Sequence, residues 1–282
     1  MNIFEILFTY FQYPFVRYAF LVTVLIAICA ALVGVTLVLK RLSNIGDGLA
    51  HMAFGAVSVG MIAHVTNNIY IVLPVTFIIC FLLLKMKNNG KLKGDSIIAM
   101  LSVFSLALAY FLLNVFNTSN NLAGDVCSTL FGSTTILTLS INDVIVSSIL
   151  CAITIVIYVL FYNKLLVITF DDNYARASGI KTQLYDVIIA LTISLIVVIA
   201  INLVGSLLVT ALLIFPAVSA MRVCRSYKMV VILSVILSVV NAIIGMLFSI
   251  VLSTPVGASI VIFETATFII CFIIGKIKGT NA

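Results

Sequence analysis

The chain has 282 residues, of which 63 % are apolar and 9 % charged, and it carries a net charge of +6. A soluble domain carries about a quarter charged residues, so a water-surrounded fold is excluded. Apolar stretches of near 20 residues recur along the whole length, which makes the bilayer the solvent. The 15 lysines and arginines are scattered in short clusters between those stretches, the pattern of topology-setting charge and not of a nucleic-acid surface.

Residues 1–14, with Phe4, Leu7, Phe8, Tyr10, Phe11 and Tyr13, form an aromatic interfacial segment. The first long apolar run after it exceeds the apolar region of a cleaved signal, so no cleavage is expected. Nine spans are predicted, at 15–39, 48–66, 69–84, 97–116, 142–161, 184–202, 205–221, 229–250 and 256–275; a count of eight is the neighbouring solution. Backbone amides and carbonyls find no partners in lipid, so the spans must be helices. The chain is therefore all-α and polytopic, one transmembrane domain over 1–282. Two spans, 69–84 and 205–221, are short, and Pro216 is expected to kink the second. Short or broken helices are tolerated beside protein or a wet cavity, which makes this pair a candidate pathway lining.

Orientation follows from the basic residues. With the 85–93 loop in the cytoplasm and strict alternation elsewhere, Lys40, Arg41, Lys85, Lys87, Lys91, Lys93, Lys164, Arg176, Lys181, Arg222, Arg225, Lys228, Lys276 and Lys278 share that side, leaving Arg17 alone on the other. The bias predicts an external N-terminus and a cytoplasmic C-terminus. The longest external connection is then 117–141, with a candidate surface helix at 125–131, and the longest cytoplasmic one is 162–183. The six cysteines show no CxxC spacing, so neither a disulfide nor a thiolate metal site is expected.

Polar groups placed in apolar spans cost several kcal/mol unless paired or hydrated, so those few residues mark the chemistry. In SNIGDGLAHMAFGAV (43–57), Asp47 and His51 stand four apart, on one face of a helix. A carboxylate oxygen and an imidazole nitrogen so placed can hold Zn2+ or Mn2+. Small residues around them admit a close neighbour, and a second copy across a two-fold axis would complete about four ligands. The alternative is that Asp47 caps the helix while His51 bonds to a neighbouring group. His64 lies thirteen residues beyond His51, on a different face, and is expected at a loop end.

Glu264, within SIVIFETATFII, either lines the pathway or relays protons, or is a hydrogen-bonded packing residue. Asn114, Asn202 and Asn241 are expected to bridge helices. FDDNYARASGIKT (170–182) is a mixed-charge segment ending near Gly179; it is either a short helix that docks into a soluble partner or an ordinary solvated loop. Asp171 and Asp172 also admit a Mg2+–diphosphate reading, that of a membrane prenyltransferase, which needs a second aspartate-rich loop. NNGKLKG (88–94) lacks the spacing of a phosphate-cradling loop, so ATP hydrolysis is not expected on this chain.

Three stretches in order resemble the permease subunits of manganese/zinc/iron ABC importers: VGVTLVLKRLSNIGDGLAHMAFGAV (33–57), FDDNYARASGI (170–180) and VGSLLVTALLIFPAVSAMRVCRS (204–226). The resemblance implies a homodimeric permease in the cell membrane, two cytoplasmic ATPase subunits and an extracytoplasmic metal-binding protein. It implies no resident cofactor, only the transported Zn2+ or Mn2+. Asp47 and His51 would be pathway metal ligands. Asp171, Asp172, Ala175, Arg176 and Gly179 would form the ATPase-coupling segment. Ala50 stands where the family often has Ser, and Glu264 is an acid in a helix otherwise expected to be apolar. A permease for siderophores or cobalamin is the near alternative, with a wider path and no Asp/His pair.

Overall fold

A computed structural model describes residues 3–63, 69–89, 94–116, 141–203 and 205–278, and every regular element among them is a helix. In chain order these are α1 (Ile3–Gln12), α2 (Pro14–Leu39), α3 (Asn44–Ile62), α4 (Ile69–Asn89), α5 (Gly94–Val115) and α6 (Ile141–Phe170). They continue with α7 (Asp172–Ala177), α8 (Thr182–Leu203), α9 (Ser206–Val223), α10 (Tyr227–Leu252) and α11 (Val256–Ile277). Seven have the length and apolarity to cross a membrane, and the apolar parts of α4 and α9, 71–84 and 207–223, are shorter. These are the nine apolar segments read from the sequence. The surface helix foreseen at 125–131, Cys127 and His64 lie outside the described residues.

Burial separates a central from a peripheral set. Over their most apolar 18 residues, α3 and α8 bury 72 % and α2 buries 67 %, whereas α5 buries 22 % and α6 and α11 bury 28 %. The peripheral helices have mean hydropathies of 2.2 to 2.8, while α3 reaches only 1.3. A helix that polar cannot face acyl chains, so α3 is held inside by α4, α5, α8 and α9. The inner packing is close: a side chain at Gly34 on α2 would run into the backbone of Leu213 on α9. The short helix α9 is not broken by Pro216, which lies inside it.

Two boundaries differ from expectation. Helix α3 starts at Asn44, four residues before the predicted span, because Asn44 and Asp47 interrupt the apolar run without interrupting the helix. Helix α6 runs to Phe170, nine residues further than predicted. Its 30 residues reach about 45 Å at 1.5 Å per residue, against a hydrocarbon core about 30 Å thick. The predicted 162–183 loop is thus mostly helix: the end of α6, then α7, then the start of α8. At the other end of the chain, α1 leaves Phe8, Tyr10 and Phe11 exposed, as an interfacial helix does.

Candidate functional site

Asp47 lies in the first turn of α3, where the positive end of the helix dipole favours a carboxylate. One turn on, His51 Nε2 comes within 3.7 Å of Asp47 Oδ1. That separation is too long for a hydrogen bond, so neither group is consumed by the other. Two ligands about 2.1 Å from one tetrahedral Zn2+ stand roughly 3.4 Å apart; a shift of a few tenths of an ångström would convert the pair into a chelate. Asp47 is 61 % exposed and His51 23 %, in a helix whose other side chains between 45 and 58 are buried.

The neighbouring glycines explain that opening. A side chain at Gly46 would meet Leu213 on α9, and one at Gly48 would meet Ile98 on α5. Asp47 and His51 fall between these two contact lines on the helix surface. Helices α5 and α9 each pack on α3 and make no substantial contact with each other. The pair therefore lies on the side of α3 that neither of them covers. No third His, Cys, Asp or Glu joins it among the described residues.

Glu264 is placed quite differently. It is 0 % exposed, and its Oε2 accepts a hydrogen bond from Asn241 Nδ2 on α10 at 3.1 Å. Thr267 Oγ1 donates in turn to Asn241 Oδ1 at 2.8 Å. Glu264 Oε1 is buried with no partner among the described residues. Asn241 thus bridges two helices as the sequence suggested; Asn114 is exposed, and the side chain of Asn202 lies outside the described set.

The segment after α6 is built by the residues singled out in it. Asp171 caps α7, its Oδ1 accepting from the backbone N–H groups of Asn173 (2.9 Å) and Tyr174 (3.0 Å). Asp172 Oδ2 receives Arg176 Nη2 at 2.8 Å, one turn apart. Ala175 is fully buried and seats the helix on the body of the protein. Gly179 adopts φ +80°, while Gly179 N–H bonds to Arg176 O and Ile180 N–H to Ala175 O, each at 3.0 Å. That pair of bonds, with a left-handed glycine, ends a helix sharply. Phe170 and Tyr174 are left 64 % and 63 % exposed, a pair of aromatic knobs beside a rigid turn. Both aspartates are engaged within α7, unlike a pair reserved for Mg2+ and diphosphate.

Sequence reading missed one feature. Lys40 Nζ, at the end of α2, stands 3.3 Å from Asp186 Oδ1 on α8, with 12 % and 16 % of the two side chains exposed. The signal available was only that Lys40 and Asp186 both lie near span ends; a separation of 146 residues leaves no local pattern to find.

Comparison with known proteins agrees with this architecture. Residues 12–275 match the model of the family described as "ABC 3 transport family". The chain is 26 % identical to the "Manganese import system permease protein ScaB" of Streptococcus gordonii, covering 93 % of this chain and 92 % of that one. It is 28 % identical to the "Manganese transport system membrane protein MntC" of Listeria monocytogenes, covering 95 % and 93 %. Among solved structures, "PsaBC from Streptococcus pneumoniae in complex with Fab" superposes with a TM-score of 0.83 at 25 % identity, covering 96 % of this chain and 95 % of that one. With its apolar helices and a match over nearly its whole length, this chain is a multi-pass membrane protein that belongs to the ABC 3 transport family.

Proposed function

We propose that this chain is the permease subunit of an ATP-driven importer of divalent metal ions, Zn2+ or Mn2+, with Asp47 and His51 as the ligands its path offers the ion. The observation behind this reading is the open Asp–His pair at 3.7 Å, on the side of α3 between its contacts with α5 and α9. Two unconsumed donors at nearly chelating distance, in a stretch of helix otherwise buried from 45 to 58, have no packing role to explain them. The names of the relatives give manganese, and a carboxylate with an imidazole accepts that ion as readily as zinc.

Two donors are too few to hold a divalent ion against water. A second copy of the chain, facing this side of α3 across a two-fold axis, would bring its own Asp47 and His51 and complete the set. The positive-inside bias puts the N-terminus outside and the C-terminus in the cytoplasm. On that orientation the pair lies toward the cytoplasmic end of α3, where the ion is released. An extracytoplasmic binding protein would deliver the ion, and two ATPase subunits would dock at α7, with Phe170 and Tyr174 as the exposed contacts. The capped, glycine-terminated α7 moves as one unit, so closure of the ATPases reaches the spans through it. Glu264, sealed against Asn241, serves in this reading to join α10 to α11 and gives no contact to the ion in this conformation.

The test is metal uptake by the assembled transporter in proteoliposomes, for Zn2+ and Mn2+ separately. Asp47→Ala and His51→Ala are each expected to reduce uptake about 100-fold at equal incorporation, the upper range for disturbed metal sites. Uptake equal to that of the unmodified protein would remove both residues from the path.

A further inference from the structure

We infer that Lys40 and Asp186 are positioning residues for transport, forming a strut that carries movement of α7 to the helix bearing Asp47 and His51. This rests on the permease reading above. The links are continuous and each is a named contact. Arg176 on α7 donates from Nε to Thr182 Oγ1, at the first residue of α8, at 3.1 Å. Thr182 is itself buried, so α7 is tied to the root of α8 at a defined point. Asp186 lies one turn along from Thr182 on the same face of α8 and receives Lys40 from α2 at 3.3 Å.

From Lys40 the connection to α3 is short and stiff. Lys40 is the last residue capping α2. Arg41 has φ 57°, a left-handed backbone, and Leu42 N–H returns to Leu37 O at 2.9 Å. Leu42 and Ile45 are buried, and Ile45 N–H bonds to Leu42 O at 3.0 Å. The reversal thus has the same hydrogen-bonded closure that ends α7. Asp47 follows within the first turn of α3. A displacement of α8 at Asp186 therefore reaches Lys40, and through the locked turn it rotates or slides the start of α3.

The ion pair is suited to this and poorly suited to plain stability. Burying a charged pair gives little net stabilisation, because lost hydration offsets the attraction, while removing one partner is strongly unfavourable. Such a pair fixes the distance between the ends of two helices that also pack along their lengths. A cavity of about 240 Å3 lies against it, lined by Lys40, Arg41, Asp172 and Asp186 among others. The pair thus sits beside free volume into which the adjoining helix ends can move.

The experiment uses the complete transporter in proteoliposomes, with Mn2+ and Zn2+ uptake and ATP hydrolysis measured together. Lys40→Gln and Asp186→Asn are expected to lower metal moved per ATP hydrolysed about tenfold, within the span of coupling changes produced by residues that touch neither ligand. The exchanged double variant Lys40→Asp with Asp186→Lys is expected to recover to within about threefold of the unmodified ratio, as a directly interacting pair should in a double-mutant cycle. Thermal unfolding of each purified variant identifies loss of fold, and the exchange keeps the inference testable where a single change leaves a buried charge unpaired. An unchanged ratio in folded single variants, or an exchange no better than the singles, overturns the strut. Absence of metal uptake by the unmodified transporter would instead overturn the permease reading and the strut with it.

Discussion

Asp47 and Glu264 are both carboxylates in apolar helices, yet Asp47 is 61 % exposed and Glu264 is fully buried. Asp47 stands between two neighbouring helices, flanked by glycines that let each approach on its own side. Glu264 stands where α10 and α11 close on each other, held by the Asn241 amide and, through it, by Thr267. The same side-chain chemistry is thus left open in one place and is a fastening in the other. What differs is the packing around it, a property of the neighbours and not of the residue.

The comparison can be broken most directly by accessibility. Asp47→Cys is expected to react with a membrane-impermeant thiol reagent admitted from the cytoplasmic side, and Glu264→Cys to react at least about 100-fold more slowly, since a site closed to solvent must open before it reacts. Equal rates would erase the distinction. Stability sharpens it from the other side. Glu264→Ala leaves the Asn241 amide buried without its acceptor and is expected to cost about 2 kcal/mol, read as a lower unfolding temperature in detergent. Glu264→Gln, which keeps a hydrogen-bonding oxygen, should stay within about 1 kcal/mol and retain metal uptake within about threefold; a tenfold loss of uptake in a stable Gln variant would return Glu264 to the pathway. The smallest effect belongs to Thr267→Val, expected near 0.6 kcal/mol, the average for interhelical hydrogen bonds in membranes.

The helices were legible in the sequence because lipid demands long apolar runs and permits no other backbone arrangement here. Where polar residues sit inside a helix, that signal fails. Asn44 and Asp47 hid the first turn of α3, and Asn163 and Lys164 hid the last turns of α6. The Asp47–His51 spacing was readable because both residues lie on one helical turn. Its exposure was not, since that depends on where α5 and α9 pack, and both are distant in sequence. For Glu264 the partner Asn241 was named only as one of three asparagines that could bridge helices, because nothing local says which helix faces which. The Lys40–Asp186 pair was invisible for the same reason, although both of its members are charged residues at span ends.

The great length of α6 sets the height at which α7 stands. A helix about 45 Å long, crossing a core about 30 Å thick, leaves roughly 15 Å for the headgroup layers. The turn that carries α7 therefore stands beyond the apolar core by an amount that the length of α6 sets. A bilayer a few ångströms thinner or thicker would tilt or stretch around the peripheral helices, while the distance from Phe170 to the buried end of α8 stays the same. A soluble partner would meet the same platform in membranes of different composition.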